Sequence, residues 1–313
     1  MPYVIDELLL DGDVADSLMD IRLILLDIDG TLIRGNAFDL ENVRKQLNRL
    51  GRPALGIRFT VATGRTVFGA RQVLRSLDPD GRLRSIIAYN GGVIAHPEAT
   101  PWIERETIDP SAYQELVYAC KRLGFWPLIY TCRHTFEFGR AEDVFGESNL
   151  FTSAMTEFNG MAVTQVSSLL DVPAENVVAV LASLGPGGEA NVNKLVEQLS
   201  DSARAQLRIT TSGGAYAEIA SSKSTKALAM HKLCTRLGLR AKEVMAVGDN
   251  FNDLEMLMSS GVGVAVANSP PEVKDACRLI TKYDATAGVV QALRYLASVR
   301  RASKRRHTIG LGD

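Results

Sequence analysis

The sequence predicts an α/β protein, a doubly wound, Rossmann-like parallel sheet carrying an inserted α+β domain. Short apolar strands without alternation recur, each followed by a polar turn and an amphipathic helix. That rhythm breaks after residue 92 and resumes beyond residue 213, leaving a domain-sized stretch between. A length of 313 residues with 46% hydrophobic side chains is ample for two packed units. The expected layout is an N-terminal arm at 1–20, a core at 21–92 and 214–299, an insertion at 93–213 and a basic tail at 300–313.

The first twenty residues are acidic where a signal peptide would be basic, and read as a short helix or a loose arm. The first core strand is "LILL", residues 23–26, apolar throughout as in a strand covered on both faces. It stops at Asp27, Asp29 and Gly30. In an extended chain residues i and i+2 point the same way, so Asp27 and Asp29 are expected to face one space while Gly30 permits a tight turn. Two like charges about 4 Å apart repel by roughly 4 kcal/mol at an effective dielectric of about 20, so a divalent cation is expected between them.

Next comes a helix, "DLENVRKQLNRLG", with an aspartate at its N-cap and a closing Gly51. The apolar strand at 57–62 ends in Thr63, Gly64 and Arg65, and "TVFGARQVLRSL" reads as helix. "SIIAYNGGVI" supplies a third strand ending at Asn90, Gly91 and Gly92. The insertion holds the helix "SAYQELVYACKRLG", short strands "WPLIYT" and "TFEF", a loop-rich stretch, the strand "NVVAVLAS" and a helix around "NVNKLVEQL". It closes with a hairpin, "QLRITTS" and "AYAEIA" joined by Gly213 and Gly214. The parallel pattern resumes with the helix "TKALAMHKLCTRLG" and the strand at 244–247, which runs into Gly248, Asp249, Asn250, Asn252 and Asp253. "LEMLMSS" is a helix, "GVGVAV" at 261–266 a buried strand rather than a dinucleotide fingerprint, and "TAGVVQALRYLASV" the last helix.

If the strands are parallel, their carboxyl ends bring Asp27, Asp29, Thr63, Asn90, Asp249 and Asp253 to one edge, with Lys226 starting a helix nearby. Carboxylates without histidine or cysteine partners favour a hard cation, and two or three of them with water and phosphate oxygens suit Mg²⁺. The site is therefore expected to be built for phosphate.

"DIDGT", "ATGR", "TK" and "GDNFND", in this order, resemble the motifs of the haloacid dehalogenase superfamily of phosphohydrolases. The resemblance covers the chain apart from its two tails, the insertion resembles a type II (C2B-like) cap, and the motif forms are most similar to the Cof-like branch. It implies that Asp27 is a nucleophile passing through an aspartyl phosphate, and that Asp29 is the acid and base. By the same resemblance Thr63 and Lys226 stabilise the transferring phosphoryl group. Asp27, Asp249 and Asp253 would hold Mg²⁺ together with the backbone carbonyl of Asp29, Asp253 either directly or through water. Gly30 and Asn252 would support these loops, and Gly64, Arg65, Asn90 and Gly91 would lie against substrate. Lys223, three residues before Lys226, is the other candidate for the lysine. The implied activity is hydrolysis of a phosphomonoester of a small phosphorylated metabolite, a sugar phosphate in the first instance. A phosphosugar mutase and a non-catalytic phosphosugar-binding protein are the alternatives.

Other features carry plainer readings. A formal charge of −1 gives no case for nucleic acid or membrane binding, and the tail "RRASKRRH" reads as a solvated end. Cys120, Cys132, Cys234 and Cys277 form no CxxC pair and read as buried free thiols of a cytoplasmic protein. His96, His134, His231 and His307 lack metal-ligand spacing, and Trp102 and Trp126 are expected to pack in the insertion. Arg65 has a structural reading beside the substrate-binding one, and Asn90 serves either near phosphate or as a residue tolerant of a left-handed turn. Nothing in the sequence specifies the oligomeric state.

Overall fold

In the computed structural model the described residues are 2–5, 12–35, 40–52, 55–77, 85–96, 102–137, 140–147, 162–185, 188–212 and 215–309. The chain opens with β1 (Tyr3–Val4), α1 (Gly12–Met19), β2 (Leu23–Leu26), α2 (Leu40–Leu50), β3 (Arg58–Ala62), α3 (Val67–Leu77) and β4 (Ile86–Ala88). Its middle holds β5 (Val93–His96), β6 (Trp102–Arg105), α4 (Pro110–Leu123), β7 (Trp126–Glu137), β8 (Arg140–Gly146), β9 (Val163–Gln165), β10 (Val177–Ser183), α5 (Gly188–Glu197), α6 (Asp201–Gln206), β11 (Leu207–Ser212) and β12 (Tyr216–Ser221). It closes with α7 (Lys226–Leu237), β13 (Val244–Gly248), α8 (Leu254–Ser259), β14 (Val262–Ala265), α9 (Pro271–Asp275), β15 (Leu279–Ile280) and α10 (Ala285–Ile309).

Two compact units emerge, one of Met1–Thr63, Ala70–Ile87 and Lys226–Asp313, the other of Gly64–Gly69 and Ala88–Thr225. In the first, the strand order is β1-β15-β14-β13-β2-β3-β4 with every adjacent pair parallel. All residues of β2, β13 and β14 are buried, which is why their sequences carry no alternation. From β2 the chain winds outward through β3 and β4, whereas from β13 it winds the other way through β14 and β15. The neighbouring strands β2 and β13 therefore flank the topological switch point, where open α/β sheets place their ligands.

The second unit is built on a sheet of order β11-β12-β10-β7-β8-β9, antiparallel except for the β8–β9 pair. Leu116, Cys120, Ile129, Val180 and Ile219 are among the buried residues of its hydrophobic core. Helix α4 is well specified locally. Asp109 at its N-cap accepts from Ser111 N and Ala112 N, Pro110 opens the helix, and Gly124 closes it in the left-handed region.

The units divide at different residues from the expected 92/93 and 213/214. Strand β12 pairs with β10 and β11, so the chain up to Thr225 belongs with the second sheet, and Gly64–Gly69 joins it as well. "WPLIYT" and residues 135–137 of "TFEF" lie in one twelve-residue strand, β7, and the stretch expected to be loop-rich contains β8, its partner. The hairpin glycines Gly213 and Gly214 and the Asp39 cap lie outside the described residues.

At the ends of the chain, β1 adds an edge strand and α1 packs against α10, so part of the N-terminal arm belongs to the core. Helix α10 continues through the expected tail to Ile309, and Arg300 donates to the Ile21 carbonyl, docking the start of that tail. The four cysteines are free and buried. Trp126 is 44% exposed at the first position of β7 rather than packed in a core, and the side chain of Trp102 lies outside the described residues. His231 is exposed, and the side chains of His134 and His307 are outside the described residues.

Candidate active site

Asp27 follows β2 directly, and its N–H bonds the Val247 carbonyl at 2.9 Å, extending the ladder to β13 by one residue. Its side chain is thereby fixed at the switch point and is 3% exposed. Beyond it the backbone leaves the ladder. Gly30 turns at φ +90°, with its N–H bonded to the Ile33 carbonyl at 2.7 Å, and Asp29 is exposed. Asp27 joins the buried acidic cluster, whereas Asp29, farther past the end of β2, is exposed.

Helix α7 begins at Lys226, whose side chain is fully buried. Its Nζ donates to Asp27 Oδ1 and to Asp253 Oδ1, each at 2.6 Å. Burial alone would push this ammonium down, but the two carboxylates outweigh it and hold it above its ordinary range. Asp253 is fully buried too, and its Oδ2 accepts from Asp249 N at 3.0 Å and Asn250 N at 3.1 Å. Gly248 leaves room for it, since a Cβ there would lie 2.7 Å from that of Asp253. Lys223 is exposed, so Lys226 is the lysine of the acidic cluster.

Asp27, Asp249 and Asp253 each offer an oxygen, all within 4.8 Å of one another. Burial, then repulsion from Asp253, raises the Asp27 carboxyl well above the usual carboxylate range in spite of Lys226. Burial also raises Asp249, opposed by a 2.8 Å hydrogen bond from Thr31 Oγ1 to its Oδ1. Asp27 Oδ2 is buried and accepts no hydrogen bond among the described residues. Asp249 stands near enough for the two acids to share a proton, but as carboxylates neither can donate. An unpartnered buried oxygen facing a second carboxylate is a seat for a positive charge, and an all-oxygen donor set fits a hard divalent cation.

Thr63 is fully buried at the end of β3, its N–H bonded to the Ile87 carbonyl at 2.9 Å. Gly64, Arg65, Asn90 and Gly91 belong to the second unit, where a Cβ on Gly64 would lie 3.2 Å from Asn90 Nδ2. Asn90 adopts φ +52°, in the left-handed region, and its Nδ2 donates to Glu218 Oε2 at 3.2 Å. Asn252 is half-buried in the turn between β13 and α8.

Three further residues of this region were not singled out from the sequence, although Thr31 closes the motif "DIDGT". Thr31 holds Asp249, Asn268 donates to the Gly30 carbonyl at 3.0 Å, and Thr286 Oγ1 donates to the Leu32 carbonyl at 2.8 Å. Asn268 lies just past the end of β14. Extending the strand-end rule to that strand would have flagged it.

The family description haloacid dehalogenase-like hydrolase matches residues 24–293, which include parts of both units and every residue of the site just described. The chain belongs to this family. It is a Cof-like member of the haloacid dehalogenase superfamily, and a phosphatase. Among its relatives, the phosphoglycolate phosphatase of Methanopyrus kandleri is 29% identical over 280 residues, spanning 88% of this chain and 96% of that protein. The 5-amino-6-(5-phospho-D-ribitylamino)uracil phosphatase YwtE of Bacillus subtilis is 26% identical over 294 residues, spanning 88% and 98%. The fold of the subclass IIB sugar phosphatase BT4131 superposes with a TM-score of 0.67 at 18% identity, over 88% of this haloacid dehalogenase-like chain and 99% of the other. No helix among the described residues is long and apolar enough to cross a membrane.

Proposed function

We propose that this phosphatase hydrolyses a small phosphomonoester, a sugar phosphate in the first instance, with Mg²⁺ as cofactor and an aspartyl phosphate on Asp27. The carrying observation is the buried triad in which Lys226 engages one oxygen of Asp27 while the other is left without a partner beside Asp249. That arrangement prepares Asp27 as a nucleophile, oriented by Lys226 through one oxygen with the other left unengaged.

In the first step an Asp27 oxygen bonds to phosphorus as the ester oxygen leaves, and Asp29 gives that oxygen a proton. Its exposure suits a group that must exchange protons with water. In the second step Asp29 takes a proton from water, whose oxygen bonds to phosphorus and releases Asp27 and inorganic phosphate. Thr63 and Lys226 donate to phosphoryl oxygens, and such preorganised donors supply much of the rate. Asp27 and Asp249 would hold the cation directly, with the Asp29 carbonyl. Asp253 would act through water, because Lys226 and two backbone amides already occupy its oxygens. When bound, Mg²⁺ supplies charge neutralisation between the carboxylates and the phosphoryl oxygens.

Gly64, Arg65, Asn90 and Gly91 are the proposed substrate contacts, and the unit holding Ala88–Thr225 is the proposed cap that sets specificity. The relatives named above act on small phosphorylated organic molecules, which supports the same class here. Buried free thiols suit a cytoplasmic enzyme. Phosphate release from a panel of phosphomonoesters, with wild type and Asp27→Asn compared in Mg²⁺ and in EDTA, tests the reading. Turnover in Mg²⁺ by wild type alone is expected, and equal release by both proteins would end the assignment of Asp27.

A further inference from the structure

Glu142, on β8, is buried to 9% exposure with no role in the chemistry above. Its Oε1 accepts from Val67 N at 2.7 Å and from the Tyr89 hydroxyl at 2.7 Å, and its Oε2 accepts from Phe68 N at 2.8 Å. Val67 and Phe68 are the first residues of α3, whose opening amides have no partner within the helix. The local cap Thr66 reaches only Gly69 N, at 2.9 Å. A carboxylate from 75 residues away completes that cap, and its negative charge suits a helix N-terminus.

The same carboxylate holds a second segment. Tyr89 and Asn90 are successive non-glycine residues in the left-handed region, at φ +51° and +52°. Such a pair is unfavourable and persists only where its surroundings impose it. Tyr89 is tied at both ends, its N–H to the Arg65 carbonyl at 3.0 Å and its hydroxyl to Glu142. Burial and the Glu142 charge push the phenol far above its ordinary range, so it stays a donor.

We propose that Glu142 is a positioning residue for substrate phosphate, locking the segment of Gly64 and Arg65 and the segment of Asn90 and Gly91 into one fixed receptor. This rests on reading those four residues as substrate contacts. Anion-binding backbone works only when its amides are preset, and Glu142 presets both stretches from a rigid strand.

The full-length wild type, Glu142→Ala, Glu142→Gln and Tyr89→Phe are compared in KM and kcat for p-nitrophenyl phosphate, in binding of inorganic phosphate, and in the rise of melting temperature with Mg²⁺. For Glu142→Ala, kcat/KM falls and the phosphate dissociation constant rises by roughly 10- to 100-fold, while the Mg²⁺ response is kept. Glu142→Gln, with one acceptor oxygen left, recovers part of the loss, and Tyr89→Phe loses less. Unchanged kcat/KM and phosphate binding in folded Glu142→Ala overturns the proposal, as does a general loss that takes the Mg²⁺ response with it. Should the alanine variant fail to fold, the glutamine and phenylalanine variants are held to the same criteria. If wild type turns over no phosphomonoester, the proposed function fails while phosphate binding still decides Glu142. If wild type does not bind phosphate either, both are overturned.

Discussion

The Lys226 ammonium lies 2.6 Å from Asp27 Oδ1 with neither side chain more than 5% exposed. Asp253 completes the triad from the other side at 2.6 Å. The charges do not balance, since one cation serves two carboxylates, with Asp249 as a third close by. Removing the cation and removing one anion should therefore have opposite consequences. Lys226→Met leaves buried carboxylates uncompensated and should cost about 3–5 kcal/mol. Asp27→Asn removes one of the repelling charges and should leave metal-free stability equal or higher, although turnover is lost. Thermal and urea unfolding in EDTA checks both. A large destabilisation by Asp27→Asn would show that attraction to Lys226, not repulsion among the acids, dominates the cluster.

The raised carboxyls of Asp27 and Asp249 fix a pH dependence. Between the ordinary carboxylate value, about 4, and their raised values, the folded chain binds more protons than the unfolded one. Metal-free stability contributed by these groups therefore falls as pH rises through that window. Lys226, also raised, contributes stability that is lost only in strong alkali, so it does not bend the curve near neutrality. A divalent cation needs these carboxylates ionised, so the melting-temperature gain on adding Mg²⁺ should widen with pH across the same window. Melts in EDTA and in MgCl₂ over a pH series measure it, and a gain independent of pH would contradict the cluster as the cation's seat.

Gly30 is required for two independent reasons. It turns at φ +90°, and a Cβ on it would stand 2.2 Å from Asp249 Oδ2. Gly30→Ala must displace the Asp249 carboxylate or unbend the turn after Asp27. The expected outcome is a folded protein with the Mg²⁺ response weakened and kcat/KM reduced by roughly 100-fold or more. Circular dichroism with titration of the metal-dependent melt checks this, and a normal Mg²⁺ response would mean that Asp249 is not needed where it stands.

How much of this was legible in the sequence depended on the distance over which each residue acts. The apolar runs before Asp27 and Asp249 announce buried parallel strands, and strands of that kind end at a common edge, so the acidic cluster could be read from local pattern. Lys226 followed from its place at a helix start. Asp27 and Asp29 differ in burial because β2 ends at Leu26, and alternation does not carry past a strand end. The continuous β7 was read as two pieces, since its pairing with β8 shifts register between Cys132 and Glu137 and interrupts the alternation. Glu142 reaches Val67, Phe68 and Tyr89 across 75, 74 and 53 residues, contacts that no local spacing encodes, whereas Asn268 sits where the strand-end rule, applied to β14, would have flagged it.

Thr31 closes the motif "DIDGT", but its contact with Asp249 is not written in that motif and gives the sharpest test of what the sequence leaves unsaid. It is fully buried and spends its hydroxyl on Asp249 Oδ1 at 2.8 Å, across 218 residues. This bond opposes the effect of burial on Asp249 and fixes which of its oxygens is left for a cation. Partners of this kind typically change metal affinity by about 10- to 100-fold when removed. Thr31→Val keeps the shape and deletes the donor, so apparent Mg²⁺ affinity should fall within that range while kcat at saturating Mg²⁺ falls much less. A Mg²⁺ titration of activity and of melting temperature separates the two quantities. A drop in saturated kcat at unchanged Mg²⁺ affinity would move Thr31 from holding the Asp249 carboxylate to some other part of the reaction.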